Sequence, residues 1–187
     1  MELWGKIRVT LKGLTPLLMN RLNPEDLKSK SRRKLQETDF ERQAEKSAYI
    51  DEIDGKRQLY VPNYAIYAMI LHTAKQYRAR RISLSNLLAG TIRIEPEKIP
   101  LGTDKYEIDI RPVVIQKNRV LKARAKVPEW KITFYIIYNK KYLPENIPET
   151  LKTILEDAGV RVGLLDYRPQ HMGWFGTFEV EKFEVIE

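Results

Sequence analysis

The fold is limited chiefly by two strand–helix–strand units that lie far apart along the chain. In the first, residues 3–11 alternate apolar and polar side chains as a half-buried strand does, and a helix follows later, from Pro62. In the second, residues 130–138 are rich in aromatic and β-branched side chains; a helix from Pro148 and a strand over 176–186 follow. Two such units predict an α+β, ferredoxin-like antiparallel sheet with both helices on one face.

The pattern of each helix also predicts where it ends. The helix from Pro62 is expected to continue to Arg80, because an apolar stripe runs as far as Tyr77 and arginines at 78, 80 and 81 suit the C-terminal end of the helix dipole. The helix from Pro148 is expected to end at Gly159, where a C-terminal glycine cap belongs.

Two hairpins are predicted between the units. The first spans residues 49–61 with a turn at Asp54-Gly55, and the second spans residues 106–127 around the tripeptide 116–118. In the outgoing strand of the second hairpin, basic and apolar residues alternate. We therefore predict one basic face on this strand, formed by Lys122, Arg124 and Lys126.

The chain has 187 residues, of which 43% are apolar, enough for one core and too few for two. The sequence therefore predicts a single domain over residues 1–187. A polar segment at about 24–48 is predicted to be an inserted charged segment, either an exposed helical excursion or a mobile insertion.

The charge distribution favours a polyanionic partner. Lys and Arg number 33 against 25 Asp and Glu, which gives a formal net charge of +8. Residues 111–141 hold nine basic residues and one acid, whereas residues 142–187 hold four basic residues and nine acids. The alternative interpretation is surface charge that serves solubility alone, and a charged fraction of 31% without cysteine is also typical of a thermophile.

The sequence favours a binding protein over an enzyme. Cysteine is absent, the N-terminus has no signal-like apolar region and no run is long enough to cross a membrane, so we expect a cytoplasmic protein.

His72 and His171 are the only histidines, and their spacing predicts no metal site; no cofactor motif is present either. His171 is the one candidate for a metal-independent ribonuclease mechanism.

Residues 160–178 form a glycine-rich loop with two competing interpretations. In the first, Arg168 contacts a phosphate, the backbone N–H groups of the loop bind an anion, and Trp174 stacks on an unpaired base. In the second, the loop is a tight structural turn in which Asp166 pairs with Arg168.

The layout resembles the RAMP superfamily, the repeat-associated RNA-binding proteins of CRISPR systems. The resemblance lies in the segments "LYVPNYAIYAMI" and "HMGWFGTFEV". In finer pattern the chain is similar to uncharacterised phage and provirus proteins that share "TPLLMNR" and "AGVRVGLLDYRP" segments. The RAMP resemblance implies a ferredoxin-like fold and a C-terminal glycine-rich loop beside guide RNA. Repeat-cleaving members place a catalytic histidine in the N-terminal half, but the first histidine here is His72, which favours a binder that does not cleave.

The predicted function is therefore non-catalytic binding of single-stranded nucleic acid, RNA before DNA, by one protein alone or in a homo-oligomer or multisubunit assembly. The alternatives are a viral or proviral structural protein acting through protein–protein contacts, and a ribonuclease that uses His171. The residues predicted to bind nucleic acid are Trp4, Lys6, Arg8, Arg32, Arg33, Lys122, Arg124, Lys126, Arg168 and Trp174.

Overall fold

The structure is a computed structural model that describes residues 3–22, 39–115 and 117–186. Its strands are β1 (Trp4–Gly13), β2 (Leu17–Leu18), β3 (Ile50–Ile53), β4 (Lys56–Pro62), β5 (Arg78–Ala79), β6 (Ile82–Ser83), β7 (Ile92–Glu95), β8 (Lys98–Pro100), β9 (Glu107–Ile115), β10 (Asn118–Val127), β11 (Lys131–Asn139) and β12 (Phe178–Ile186). Its α-helices are α1 (Phe40–Ser47), α2 (Asn63–Ala74), α3 (Leu84–Leu88) and α4 (Ile147–Arg161), and a 3₁₀ turn spans Pro169–His171.

The central sheet has the strand order β12-β1-β11-β7, with every neighbouring pair antiparallel. Strand β1 pairs with β11 from Trp4 to Lys12 without a shift, and with β12 with one irregularity between Thr10 and Leu11. Its residues Ile7, Val9 and Leu11 lie in the same core as the buried faces of α2 and α4. This is the predicted ferredoxin-like arrangement, and the fold class is confirmed.

Helix α2 is shorter than predicted, because it ends at Ala74 and not at Arg80. Beyond Ala74 the sequence offers few apolar side chains for a further helical turn to bury; Lys75 and Gln76 are exposed. The chain instead forms the two-stranded β5–β6 hairpin, in which Arg80 takes a positive φ of 57°.

Helix α4 is longer than predicted, because it continues past Gly159 to Arg161. Gly159 lies inside the helix at a close contact, where an added Cβ would be 2.2 Å from the carbonyl oxygen of Phe178. The chain turns at Gly163, which has a φ of 70° and donates its N–H to the oxygen of Ala158 at 2.8 Å. None of the helices in the described ranges, α4 included, combines the length and apolar composition that a bilayer crossing requires.

The second sheet has the order β2-β10-β9, which confirms the predicted hairpin over residues 106–127. Helix α1 covers the edge of β10 beyond the short strand β2: Ser47 Oγ accepts the N–H of Ala125 at 2.8 Å, and Gln43 Oε1 accepts the N–H of Ala123 at 3.1 Å. Residues 24–38 of the predicted charged segment lie outside the described residues. Its remaining part contains α1, which packs on the hairpin.

The β3–β4 hairpin is also confirmed. Its two turn residues, Asp54 and Gly55, have φ values of 53° and 72°, as a two-residue turn of the mirror-image type requires. Strand β4 then pairs with β8 and leads directly into α2, so this hairpin positions the N-terminal end of the helix.

We predict that Gly159→Ala destabilises the protein. The new methyl group would meet the Phe178 backbone, and the overpacking outweighs the gain in helix propensity, leaving a net loss of about 1–2 kcal/mol in the free energy of unfolding. Urea denaturation measures the change. The exposed neighbour Val160→Ala is the matched control, with an expected change within about 0.5 kcal/mol. Equal stability of both variants would contradict the tight contact.

Candidate nucleic-acid interface

The open face of the central sheet carries Trp4, Lys6 and Arg8, as predicted, but their charges and rings have partners. Arg8 Nη1 lies 3.8 Å from Glu184 Oε2, and Lys6 Nζ lies 4.1 Å from the centroid of the Tyr135 ring. The guanidinium of Arg93 lies 5.1 Å from the Trp4 ring. Other basic residues of these strands also pair with glutamates: Lys12 with Glu179, Lys131 with Glu181 and Arg93 with Glu95. Much of the positive charge here is therefore balanced by carboxylates.

The predicted basic face of β10 does not face solvent throughout. Lys126 pairs with Glu107 at 2.7 Å, and Lys122 donates to Asn20 Oδ1 at 2.8 Å. Arg124 is only 5% exposed, which corrects the prediction that it lies on an open basic surface. The physical reason is that this face of the hairpin packs against the glycine-rich loop.

An ion pair between the buried Arg124 and the partly exposed Asp166 joins this strand to that loop. Arg124 Nη1 donates to Asp166 Oδ2 at 2.5 Å, so Asp166 pairs with Arg124 and not with Arg168 as the turn interpretation expected. On the strand opposite, Arg111 Nε donates to the buried carboxylate of Asp109 at 2.7 Å. The Arg124 Nε atom is buried without a hydrogen-bond partner among the described residues. Losing the Asp166 partner would leave this buried cation uncompensated.

The loop backbone adopts conformations that its residues disfavour. Leu165, Tyr167 and Met172 have φ values of 59°, 50° and 61°, which cost an L-residue about 1–2 kcal/mol each. An added Cβ at Gly173 would lie 1.8 Å from the oxygen of Tyr167, and one at Gly176 would lie 2.1 Å from the oxygen of Leu164. These two glycines therefore allow the loop to pack against itself, as the turn interpretation expected.

The backbone N–H groups of the loop are largely used within the protein. In residues 162–177, between α4 and β12, ten of them donate to backbone carbonyl oxygens: those of Val162, Gly163, Leu164, Asp166, Gln170, His171, Met172, Gly173, Phe175 and Gly176. Two of these bonds tie the loop to the start of the chain, because Asp166 donates to Leu18 and Gly176 donates to Pro16. Most donors of the predicted backbone anion site are therefore already used within the protein. The loop groups that remain as candidates for contacting an anion are its side chains.

Aromatic side chains of the loop form a platform. Trp174 is 51% exposed and stacks on the buried ring of Phe175, with the ring centroids 4.4 Å apart and the planes at 22°. Tyr167, also partly exposed, has its centroid 5.8 Å from that of Phe175. The Arg111 guanidinium lies 4.8 Å from the Phe175 centroid. The exposed Trp174 ring is held in place by a core residue and offers a surface for stacking.

A groove of about 310 Å³ lies between α2 and the loop. It is lined by Asn20, Tyr49, Tyr64, Ala65, Ala68, Leu165, Asp166 and Arg168. Ala65 and Ala68 present small side chains on the helix, so a ligand backbone can approach the helix closely there. A second groove of about 230 Å³ shares Tyr49 and Tyr64 and is also lined by Arg21 and Lys98. The two tyrosines therefore stand between two adjacent recesses, each with a cationic side chain.

Arg168 is the cation of the larger groove. Its Nη1 donates to the oxygen of Leu165 at 2.7 Å, and its Nε donates to Gln170 Oε1 at 3.0 Å. Burial lowers the pKa of Arg168, while the carboxylate of Asp166 acts in the opposite direction. Since a guanidinium has five N–H donors, these two bonds orient the group and leave donors for an anion in the groove.

Tyr49 and Tyr64 stand between the grooves, and the hydroxyl of Tyr49 is held in its neutral form. Their hydroxyl groups are 3.4 Å apart, and burial together with the Tyr64 hydroxyl raises the pKa of Tyr49 well above its usual value. Tyr64 is exposed at the start of α2, and sequence reasoning missed both tyrosines and Asn20. The "YVPNY" segment before the helix was the available signal, because Tyr60 and Tyr64 flank the helix start.

The two histidines lie near one another and near Arg168, which lines the larger groove. His72 Nδ1 and Gln170 Nε2 are 3.1 Å apart, and burial lowers the pKa of His72, assisted by the positive charges of Lys75, Arg168 and His171. His171 is exposed at the end of the 3₁₀ turn. In the ranges that the structure describes, three or more metal-ligating His, Cys, Asp or Glu side chains are nowhere grouped. Arg32 and Arg33 lie outside those ranges.

No protein-family model matches the chain, and no curated protein is similar to it in sequence. Its fold is similar to that of a chain in a solved structure described as the type III-B Cmr-beta complex bound to cognate target RNA, determined by cryo-electron microscopy. The TM-score is 0.63 at 12% sequence identity, and the similarity covers 98% of this chain and 61% of that one. The present chain thus spans about three fifths of the length of the chain it matches. This similarity supports the predicted fold, while membership of the RAMP superfamily and the likeness to phage proteins stay predictions.

We predict that Asp166→Ala lowers the free energy of unfolding by about 2–4 kcal/mol, because it leaves the buried Arg124 guanidinium without its carboxylate. Adding Arg124→Met should recover part of this loss, since the double variant no longer buries an unpaired charge. Glu184→Ala, which breaks the exposed pair with Arg8, is the control and should cost no more than about 1 kcal/mol. Chemical denaturation of the four proteins measures these changes in the free energy of unfolding. A double variant less stable than Asp166→Ala would show that burial of the pair is not the cause.

Proposed function

We propose that the protein binds single-stranded nucleic acid, RNA before DNA, in the groove between α2 and the loop 162–177, as a RAMP-like subunit that does not cleave. The observation that carries the proposal is the groove itself, which Arg168 and Tyr49 line together with Tyr64, Ala65 and Ala68 of α2. The exposed Trp174 platform belongs to the same loop.

The groove side chains suit a phosphate backbone with unpaired bases. A guanidinium held by Leu165 and Gln170 presents its remaining donors in the fork geometry that phosphate oxygens accept. Ala65 and Ala68 leave room for the backbone of the strand. Trp174 has a ring face that a splayed base can stack on, whereas the bases of a duplex already stack on one another.

Two lines of support favour RNA and an assembly. The chain of similar fold comes from a structure described as a complex bound to target RNA. Sequence-specific RNA recognition typically uses unstacked bases, aromatic rings and arginine planes, which the loop and groove supply. Because the two chains share only 12% sequence identity, their similarity supports the fold alone. Binding of RNA, membership of an assembly and the absence of cleavage all belong to the proposal.

We expect labelled single-stranded RNA to bind more tightly than single-stranded DNA or duplex in fluorescence anisotropy, with an affinity that falls steeply as salt rises. Arg168→Gln should weaken RNA binding by about 10- to 100-fold, because a charge-assisted contact is lost. Trp174→Ala should weaken it by a factor of about 5 to 100, the range for one stacked base.

Trp4→Ala and Arg8→Gln, on the open sheet face, are the matched controls. The proposal expects them to bind as the unaltered protein does, because the Arg8 charge is already balanced by Glu184. Weakening by these two changes alone would move the binding surface to the sheet. Binding of no nucleic acid at low salt would refute the proposal, and a discrete oligomer in light scattering would then favour a structural protein.

The RNA recovered from the same titrations tests the ribonuclease alternative. We expect intact RNA after incubation with the protein in a metal chelator. Cleavage that disappears in the His171→Ala protein would contradict the non-catalytic assignment and make His171 part of a catalytic site.

A further inference from the structure

The β5–β6 hairpin presents three exposed arginines within four residues, at 78, 80 and 81. Among the residues that the structure describes, no carboxylate forms an ion pair with any of them. The sheet face behaves differently, since Arg8, Lys12 and Lys131 each pair with a glutamate there. The hairpin is therefore a compact patch of uncompensated positive charge.

The base of the hairpin is anchored. Leu84, which is buried, donates its N–H to the oxygen of Tyr77 at 2.9 Å and closes the hairpin. The Tyr77 hydroxyl donates to Asp157 Oδ2 at 3.1 Å, and Asp157 also binds Arg161. The arginines are thus attached to a turn that is fixed to α4. Because the hairpin backbone is already ordered, it loses little conformational entropy when a ligand binds.

The hairpin follows the same helix that lines the groove. Tyr64, Ala68, His72 and Lys75 are spaced three or four residues apart, so they share one side of α2, and all are exposed or partly exposed. His72 lies beside Gln170, so the loop accompanies the helix from its start to its last turns. With 12 residues the helix is about 18 Å long. A strand that leaves the groove along this side would arrive at the hairpin.

We propose that the β5–β6 hairpin is a second contact for the phosphate backbone of the same single strand, at the end of α2 away from the groove. The proposal rests on the proposed function, because it assigns the hairpin to the strand that the groove binds. The geometry favours nucleic acid over an acidic protein partner, since the arginines continue a cationic path that includes Arg168 and Lys75.

The hairpin should matter only for strands long enough to extend beyond the groove. A stacked strand rises about 3.4 Å per nucleotide along its axis, so about five nucleotides span the length of α2. A strand of about 4 nucleotides would occupy the groove alone, and one of about 20 would contact both sites. Each phosphate contact contributes about 0.7 to the dependence of log K on log salt for a single strand, so three arginines contribute about 2.

The test compares the unaltered protein with a variant that carries Arg78→Gln, Arg80→Gly and Arg81→Gln. Glycine accepts the positive φ of residue 80, so the turn is retained, and circular dichroism checks the fold. A control with Arg8→Gln, Lys12→Gln and Lys131→Gln removes the same charge from the sheet face. Both strand lengths are titrated by anisotropy at several salt concentrations.

The expected result is a loss of more than about tenfold in affinity for the long RNA and a salt slope lower by about 2, with short-RNA binding unchanged and the control unaffected. Unchanged long-RNA binding by the hairpin variant would overturn this inference and leave the groove proposal standing. Equal losses for both lengths, or equal losses in the control, would also overturn it, because they indicate a general charge effect. If the unaltered protein binds neither RNA, the proposed function itself fails.

Discussion

The backbone hydrogen bonds of residues 4–19 hold the separate parts of the molecule together. This segment pairs with β11 on one side and β12 on the other, and its continuation β2 pairs with β10 of the second sheet. The same segment accepts hydrogen bonds from the loop, through the oxygens of Pro16 and Leu18. One stretch of chain therefore joins both sheets and the glycine-rich loop, and the loop forms one side of the groove, with α2 on the other.

The loop keeps a strained backbone because its surroundings hold it. Three non-glycine residues have positive φ, and three kinds of contact stabilise them in that conformation. These are the backbone hydrogen bonds to Pro16 and Leu18, the close contacts at Gly173 and Gly176, and the ion pair of Asp166 with the buried Arg124. The rigidity so obtained positions Arg168 and Trp174 relative to α2. The sequence posed a structural turn and a binding surface as alternatives. The loop backbone forms the turn, and the side chains of Arg168 and Trp174 are presented to the groove and to solvent, where the proposed binding would take place.

Surfaces with similar numbers of basic residues differ in how many of those residues are paired with carboxylates. Arg8, Lys12 and Lys131 on the open sheet face have glutamate partners, and Arg124 is buried, so a basic residue in the sequence does not by itself mark a binding surface. Positive charge remains in excess beside α2. Arg168 of the loop lies on this side of the helix, and Lys75 and the hairpin arginines follow its C-terminal end. A polyanion is attracted by the net field of such a region more than by pairs that are already neutralised.

Local sequence patterns were sufficient to predict the ferredoxin-like order of elements, both hairpins and the buried face of β1, because periodicity and turn residues act over short distances. The predicted C-terminal ends of α2 and α4 were wrong; in α4, Gly159 serves a contact with Phe178 and not a cap. The patterns also identified Arg168 and Trp174 as side chains of the loop, but they missed Tyr49, Tyr64 and Asn20, which come together only in the groove. The burial of Arg124 against Asp166, while nearby cations stay exposed, is visible only in the folded chain. Burial and ion pairing depend on segments distant in sequence, and local patterns carry no record of which segments will meet.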